Sequence, residues 1–165
     1  MSMQEQDAIF LRRAIALAQE NRRRGFDPFG AVLVYEGHIA HEDYDRSVER
    51  SDPTCHAELG VISEYCRVQK LFSLEGYTLY SSTEPCLMCT GAIHWSRLSR
   101  MVFSVSQAQL QQFSGGRTKP TCVSFLNSNQ VNVVGPLLSD EGLVVFEGYH
   151  FSRRREQHRR LFGTT

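Results

Sequence analysis

Four residues of this 165-residue chain combine side-chain type and spacing in a way that suits hydrolytic metal chemistry: His56, Glu58, Cys86 and Cys89. They stand in the strings H-A-E and P-C-L-M-C, each at what reads as the start of a helix. Cys86 and Cys89 are three positions apart, so on a helix their sulfurs lie on one side. The dipole and free N–H groups of a helix start favour thiolate, the form that binds metal. With one imidazole, the two thiolates make three protein ligands for Zn2+ and leave a fourth position for water, which is the catalytic arrangement. Zinc lowers the pKa of bound water from about 15.7 to about 7 and so supplies hydroxide at neutral pH. Attack on an aminated ring carbon then needs a carboxylate to carry protons to a ring nitrogen and to the leaving amine, and Glu58 is the candidate. Residues i and i+2 diverge on a regular helix, so His56 and Glu58 can share one site only at a helix tip.

Other uses of these residues remain open at this level. A CxxC pair can be redox-active, or it can be half of a structural zinc site. The redox reading expects CxxC after the first strand and leaves H-A-E without a role. A structural zinc needs a fourth Cys or His at similar spacing. Cys55, Cys66 and Cys122 are isolated, and their expected place is the core.

The elements that must position these residues follow from pattern. Residues 5–24 read as a helix, with Ile9, Ala14, Leu17 and Ala18 at helical spacing and Gly25 after a basic last turn. GAVLVY (30–35) and HIAHE (38–42) read as a hairpin turned at Glu36-Gly37, followed by a polar loop over 44–51. Asp52-Pro53 predicts an N-cap and N1 for a helix reaching about Arg67. YTLYSS (77–82) reads as a strand, Glu84-Pro85 as the opening of a helix to about Ser96, and MVFSV (101–105) as a strand. Residues 107–120 read as loop, 131–134 as a short strand and 151–162 as a terminal helix. Alternating strands and helices predict an α/β fold with a mainly parallel sheet, covered on both faces and with one hairpin at an edge. No linker or repeat divides the chain, so residues 1–165 are expected to form one domain.

Composition excludes several classes. Hydrophobic residues make up 41% and charged residues 22%, which argues against disorder and coiled coil. No apolar run approaches the roughly 18 residues of a membrane span. The start, MSMQEQDAIF, has no signal-peptide pattern, and five cysteines suit a reducing compartment, so a cytoplasmic location is expected. Eighteen basic residues balance eighteen acidic ones, which disfavours a dedicated nucleic-acid binder.

H-x-E followed by P-C-x-x-C is the signature of zinc nucleobase deaminases. DPTCHAE (52–58) and YTLYSSTEPCLMCTGAI (77–93) resemble the cytidine deaminase-like superfamily, in particular the branch holding bacterial guanine deaminases, tRNA adenosine deaminases and fungal cytosine deaminase. The resemblance extends over about residues 8–105. It implies a three-layer α/β/α sandwich around a mixed, largely parallel five-stranded sheet, and a homodimer. It also implies His56, Cys86 and Cys89 as Zn2+ ligands and Glu58 as proton shuttle. Within it, Phe29, Asp45, Ala57 and Trp95 are expected around the substrate. Phe29 in PFG and Trp95 after GAI resemble guanine deaminases in particular, and each either stacks on a base or packs in the core. Asp45 departs from the pattern, since related families commonly carry asparagine eleven residues before the ligand histidine. An ionised carboxylate only accepts, so an Asp45 facing the ligand implies a substrate richer in N–H groups on that edge.

The expected activity is hydrolytic deamination of a small aminated heterocycle, guanine-like first, with tRNA adenosine and cytosine as alternative substrates. A non-catalytic subunit of this fold is expected to lack the shuttle glutamate. Two tail features carry two readings each. Asp140 and Glu141 either cap a surface helix or close the pocket. Arg153, Arg154, Arg155, Arg159 and Arg160 form either a solvated helix face, with Phe151 and Phe162 packed inward, or a phosphate-binding surface for tRNA.

Overall fold

A computed structural model of the chain describes residues 2–115 and 121–163. Chain order is α1 (Met3–Arg23), β1 (Gly30–Tyr35), β2 (His38–Tyr44), α2 (Ala57–Gln69), β3 (Thr78–Thr83), α3 (Leu87–Trp95), β4 (Arg100–Val105), α4 (Gln107–Ser114), α5 (Val123–Ser128), β5 (Asn132–Val134), α6 (Ser139–Leu143), a 3-10 turn at Val144–Phe146, and α7 (Arg154–Phe162). The five strands lie in the order β2-β1-β3-β4-β5.

The sheet is mixed, as the resemblance implies, but it is less parallel than the alternation of elements suggests. β1 pairs antiparallel with both β2 and β3, while β3–β4 and β4–β5 are parallel. The hairpin is at the edge, yet its first strand lies inside the sheet and alone runs against the other four. The crossover through α2 therefore passes over β1 to bring β3 in beside it.

Period-two burial makes the layers. On β1, Val32 and Val34 turn toward α1 with Tyr80 and Val102, while Ala31 and Leu33 turn toward α2 and α3 with Leu79, Met101 and Phe103. α1 rests directly on β1 because Gly30 has no side chain. A Cβ there would come within 2.4 Å of the Ala14 carbonyl oxygen.

Several predicted boundaries shift, each for a local reason. α2 begins at Ala57 and not at Asp52-Pro53, because Asp52 Oδ1 accepts from Thr54 N (2.9 Å) and Thr54 Oγ1 (2.6 Å) in a turn of its own. α3 begins at Leu87 and not at Glu84, whose side chain is used elsewhere. Residues 107–114 are helical where a loop was expected, because Ser106 and Gln109 form a capping box. The remainder of that expected loop, 116–120, lies outside the described residues. The terminal helix starts at Arg154, and α5 and α6 are short helices without a clear sequence signal.

Candidate active site

The two half-motifs meet at the carboxyl ends of β3 and β4, where α2, α3 and α4 begin. His56 is the N-cap of α2 and Cys86 the N-cap of α3, both with extended backbone. Their carbonyls accept the first helical bonds, from Gly60 N and Thr90 N (each 2.8 Å), while their side chains make no capping bond. Instead the ligand atoms of His56, Cys86 and Cys89 all lie within 4.8 Å of one another and could hold a metal ion. Two thiols and an imidazole are the donor set zinc favours. His56 Nδ1 faces Cys86 Sγ at 3.5 Å, which leaves Nε2 pointing away from the thiols.

Electrostatics at this corner favour thiolate at Cys86. A hydrogen bond from the Cys89 thiol and contact with His56 pull it down to about 3 against the effect of burial. Cys89 is pushed the other way, by the bond it makes to Cys86, by burial and by the charge of Glu58. Burial lowers the His56 imidazole, but the Cys86 contact and the charge of Glu58 outweigh it and leave the group raised. Metal binding takes the proton that the two thiols share, so loading releases it.

Glu58 is 7% exposed and is the second residue of α2, with Cys89 Sγ 3.6 Å from its Oε2. The helix tip brings it to the same corner as His56. Burial raises its carboxyl above the usual range. Ser81 Oγ sits 3.0 Å from Glu58 Oε1 and 2.7 Å from the Thr83 carbonyl, and it has a single proton. With Glu58 protonated both bonds are satisfied, since Oε1–H donates to Ser81 and Ser81 donates to Thr83.

An open cleft with an empty volume of about 440 Å³ adjoins this corner, and Phe29, Asp45, His56, Glu58 and Cys86 line it. Sequence reasoning missed its other walls: Thr83, Glu84, Gln107, Leu110 and Arg154. Glu84 had a signal, since it stands beside Pro85-Cys86. Its carboxylate accepts from the backbone N–H groups of Gln107 and Cys122, each at 2.9 Å, and so ties α4 and α5 to the motif. Arg154 had none within its arginine run. Its Nη2 donates to Asp45 Oδ2 at 2.9 Å and its Nη1 lies 2.8 Å from His56 Nε2.

The remaining expected residues divide. Phe29 forms a wall of the cleft, with the rings of Phe146 and Phe151 each 6.0 Å away. Asp45 lines the cleft at 2% exposure, but its oxygens already accept from the protein: Oδ1 from Ser47 N at 3.0 Å and Ser47 Oγ at 2.5 Å, Oδ2 from Arg154. Ala57 is buried in the core behind His56. Trp95 is outside the cleft lining, at the far end of α3 and 81% exposed. Cys55 and Cys122 are buried, Cys66 packs partly against the core, and burial raises all three thiols. Asp140 and Glu141 occupy the first turn of α6, and Glu141 pairs with Arg12 at the surface. Phe151 packs inward, but Phe162 is exposed and touches only the His158 ring among the aromatic contacts of the described residues.

Residues 4–105 match the cytidine and deoxycytidylate deaminase zinc-binding region. A probable cytosine deaminase of Schizosaccharomyces pombe is 34% identical over 154 residues, 89% of this chain and 94% of that protein. A tRNA-specific adenosine deaminase of Buchnera aphidicola is 33% identical over 156 residues, 93% of each. The structure of guanine deaminase from Bacillus subtilis superposes with a TM-score of 0.64 at 30% identity, over 90% of this chain and 93% of that one. Relatives with three different substrates thus share one scaffold, with no membrane-spanning helix among the described residues. With its His/Cys/Cys cluster suited to zinc, the chain belongs to the cytidine and deoxycytidylate deaminase zinc-binding family of enzymes.

Proposed function

We propose that this protein hydrolyses the exocyclic amine of a small free aminated heterocycle, a guanine-like base first, releasing ammonia and leaving a carbonyl. One observation carries the reading: a buried carboxyl, Glu58, sits with the His56/Cys86/Cys89 cluster on the wall of a cleft also lined by an aromatic ring, Phe29. His56 Nδ1, Cys86 Sγ and Cys89 Sγ would hold the zinc, which would supply a Lewis acid that makes water nucleophilic near neutral pH. Glu58 takes one proton from the attacking water and gives it to the ring nitrogen beside the aminated carbon. It then takes the second from the hydroxyl so added to that carbon and gives it to the amine, which leaves as ammonia as the carbonyl forms. Its burial raises the carboxyl and so favours the protonated form that the second half of each transfer needs. Ser81 steadies Oε1 through both states, because its hydroxyl donates to the carboxylate and accepts from the acid. Phe29 offers a face for a planar base and excludes water from the site.

The five free cysteines suit a cytoplasmic protein. A homodimer fits the surface, because α3 leaves Leu87 and Trp95 exposed and His94 links the Trp95 ring to that of Phe125, itself half exposed. Replacing Leu87 and Trp95 by glutamate should shift the protein to monomer in sedimentation, and an unchanged sedimentation coefficient contradicts the dimer.

A tRNA substrate is the second reading, favoured by Arg153, Arg155, Arg159 and Arg160, which α7 exposes close to the cleft. The test is ammonia release by the zinc-loaded protein from guanine, cytosine, adenine and a tRNA. Turnover of a free base at rates insensitive to salt supports the first reading. Silence on all bases, with tRNA deamination that falls steeply between low and physiological salt, supports the second.

A further inference from the structure

Arg154 brings to the cleft a guanidinium that the hydrolytic steps do not use. It is clamped from the protein side. Nη2 donates to Asp45, and Nε lies 3.5 Å from Asp27 Oδ2. Both carboxylates are buried and both are fixed in turn, Asp45 by Ser47, and Asp27 by the Tyr149 hydroxyl (2.7 Å) and the Gln157 amide (2.8 Å). A guanidinium held on two sides presents its remaining nitrogen in a fixed direction.

That nitrogen, Nη1, has among the described residues only His56 Nε2 as a hydrogen-bond neighbour, at 2.8 Å. His56 turns Nδ1 toward Cys86, so ligation through Nδ1 leaves the ring proton on Nε2. A metal-bound histidine ordinarily donates that N–H to a carboxylate or carbonyl, and arginine has no acceptor to offer. In the zinc-loaded protein the two groups are donors facing each other, and Nη1 loses its partner. Two other residues of the cleft, Thr83 and Gln107, leave Oγ1 and Oε1 buried without a hydrogen bond. Buried polar atoms are rarely left unpaired, and two of the four such side-chain atoms among the described residues belong to this cleft, which suits a polar ligand.

We propose that Arg154 is the specificity residue of this site: positioned by Asp45 and Asp27, its Nη1 donates to a carbonyl oxygen of the substrate and selects aminated heterocycles that carry an oxo group. The inference rests on the deaminase reading and names its substrate class. It assigns Asp45 a role opposite to the one its type suggested. The carboxylate acts through the guanidinium, so that edge of the pocket donates to the base.

The test uses zinc-loaded Glu58→Gln protein, which holds a base without turning it over, and titration calorimetry with two matched pairs. Guanine against 2-aminopurine, and cytosine against 4-aminopyrimidine, differ in the oxo group and the ring N–H that accompanies it, and the Arg154 variants isolate the part that the oxo group contributes. In at least one pair the oxo member should bind about tenfold or more tightly, the scale of a hydrogen bond to a charged group. Adding Arg154→Gln should bring that pair to within about threefold at equal zinc content, on the same scale. Arg154→Lys keeps the charge but loses the fork, and should do the same, which covers the case in which the glutamine variant does not fold. Preference for the oxo member that survives both substitutions, or no such preference at the start, overturns this inference alone. Failure of the zinc-loaded protein to bind any of the four bases overturns the free-base reading together with it.

Discussion

Two kinds of helix start coexist in this molecule. α1 and α4 open on serine capping boxes, Ser2 with Glu5 and Ser106 with Gln109, in which side chains satisfy the free N–H groups. α2 and α3 open on His56 and Cys86, whose backbones adopt the same extended N-cap geometry but whose side chains cap nothing. Local stability asks for Ser, Thr, Asp or Asn at these positions. The chain places metal ligands there instead, where N–H groups and helix dipole favour the thiolate. α7, whose first residue Arg154 enters the cleft, also starts without a side-chain cap, as do the short α5 and α6. Departure from capping chemistry thus accompanies the starts that carry the metal ligands and Arg154, although the short helices show it too and α4, whose Gln107 lines the cleft, keeps its capping box.

The contrast breaks most visibly at Cys86. Cys86→Ser should lose zinc and nearly all turnover, as read by metal analysis and ammonia release. Yet with metal stripped from both proteins, the serine variant should be the more stable by about 0.5–1 kcal/mol, because the hydroxyl caps α3. Denaturant unfolding in chelator reads this, and equal or lower stability of the variant contradicts it. Chelation should lower the melting temperature of the wild type but leave Cys86→Ser unmoved, since only a chain that binds metal when folded is stabilised by it. The opposite kind of start gives the converse result. Ser2→Ala, exposed and remote from the cleft, should cost about 0.5–1 kcal/mol of stability without changing turnover.

The smallest expected effect lies at an edge pair outside both groups. Contact with Arg13 holds the Glu42 carboxyl below its usual value of 4.5. A carboxyl lowered on folding adds stability above its unfolded value, and this is lost as pH falls through the folded one. The stability gap between wild type and Glu42→Gln, a few tenths of a kcal/mol at neutral pH for so exposed a pair, should therefore close below pH 4. A gap constant down to pH 3 contradicts this.

What was legible in the sequence follows the same division. The apolar strands announced themselves by composition, and the ligand residues by type and spacing. The starts of α2 and α3 were misplaced because Asp52-Pro53 and Glu84-Pro85 carry local capping chemistry that the fold spends elsewhere, Asp52 on Thr54 and Glu84 on Gln107 and Cys122. Arg154 was hidden in a run of like residues, because what sets it apart is a contact 109 positions back with Asp45. Trp95 was read from a motif, its place after GAI, and it is exposed as the last residue of α3, outside the cleft lining of the single chain.

The central claim is that Glu58 moves protons beside a zinc held by His56, Cys86 and Cys89. The most direct test pairs zinc stoichiometry with ammonia release for wild type and Glu58→Gln. Zinc should remain near one per chain while turnover of the best substrate falls by about 10²–10⁴-fold or more, the share that a positioned acid–base group contributes. Turnover retained by a fully zinc-loaded Glu58→Gln protein contradicts the account.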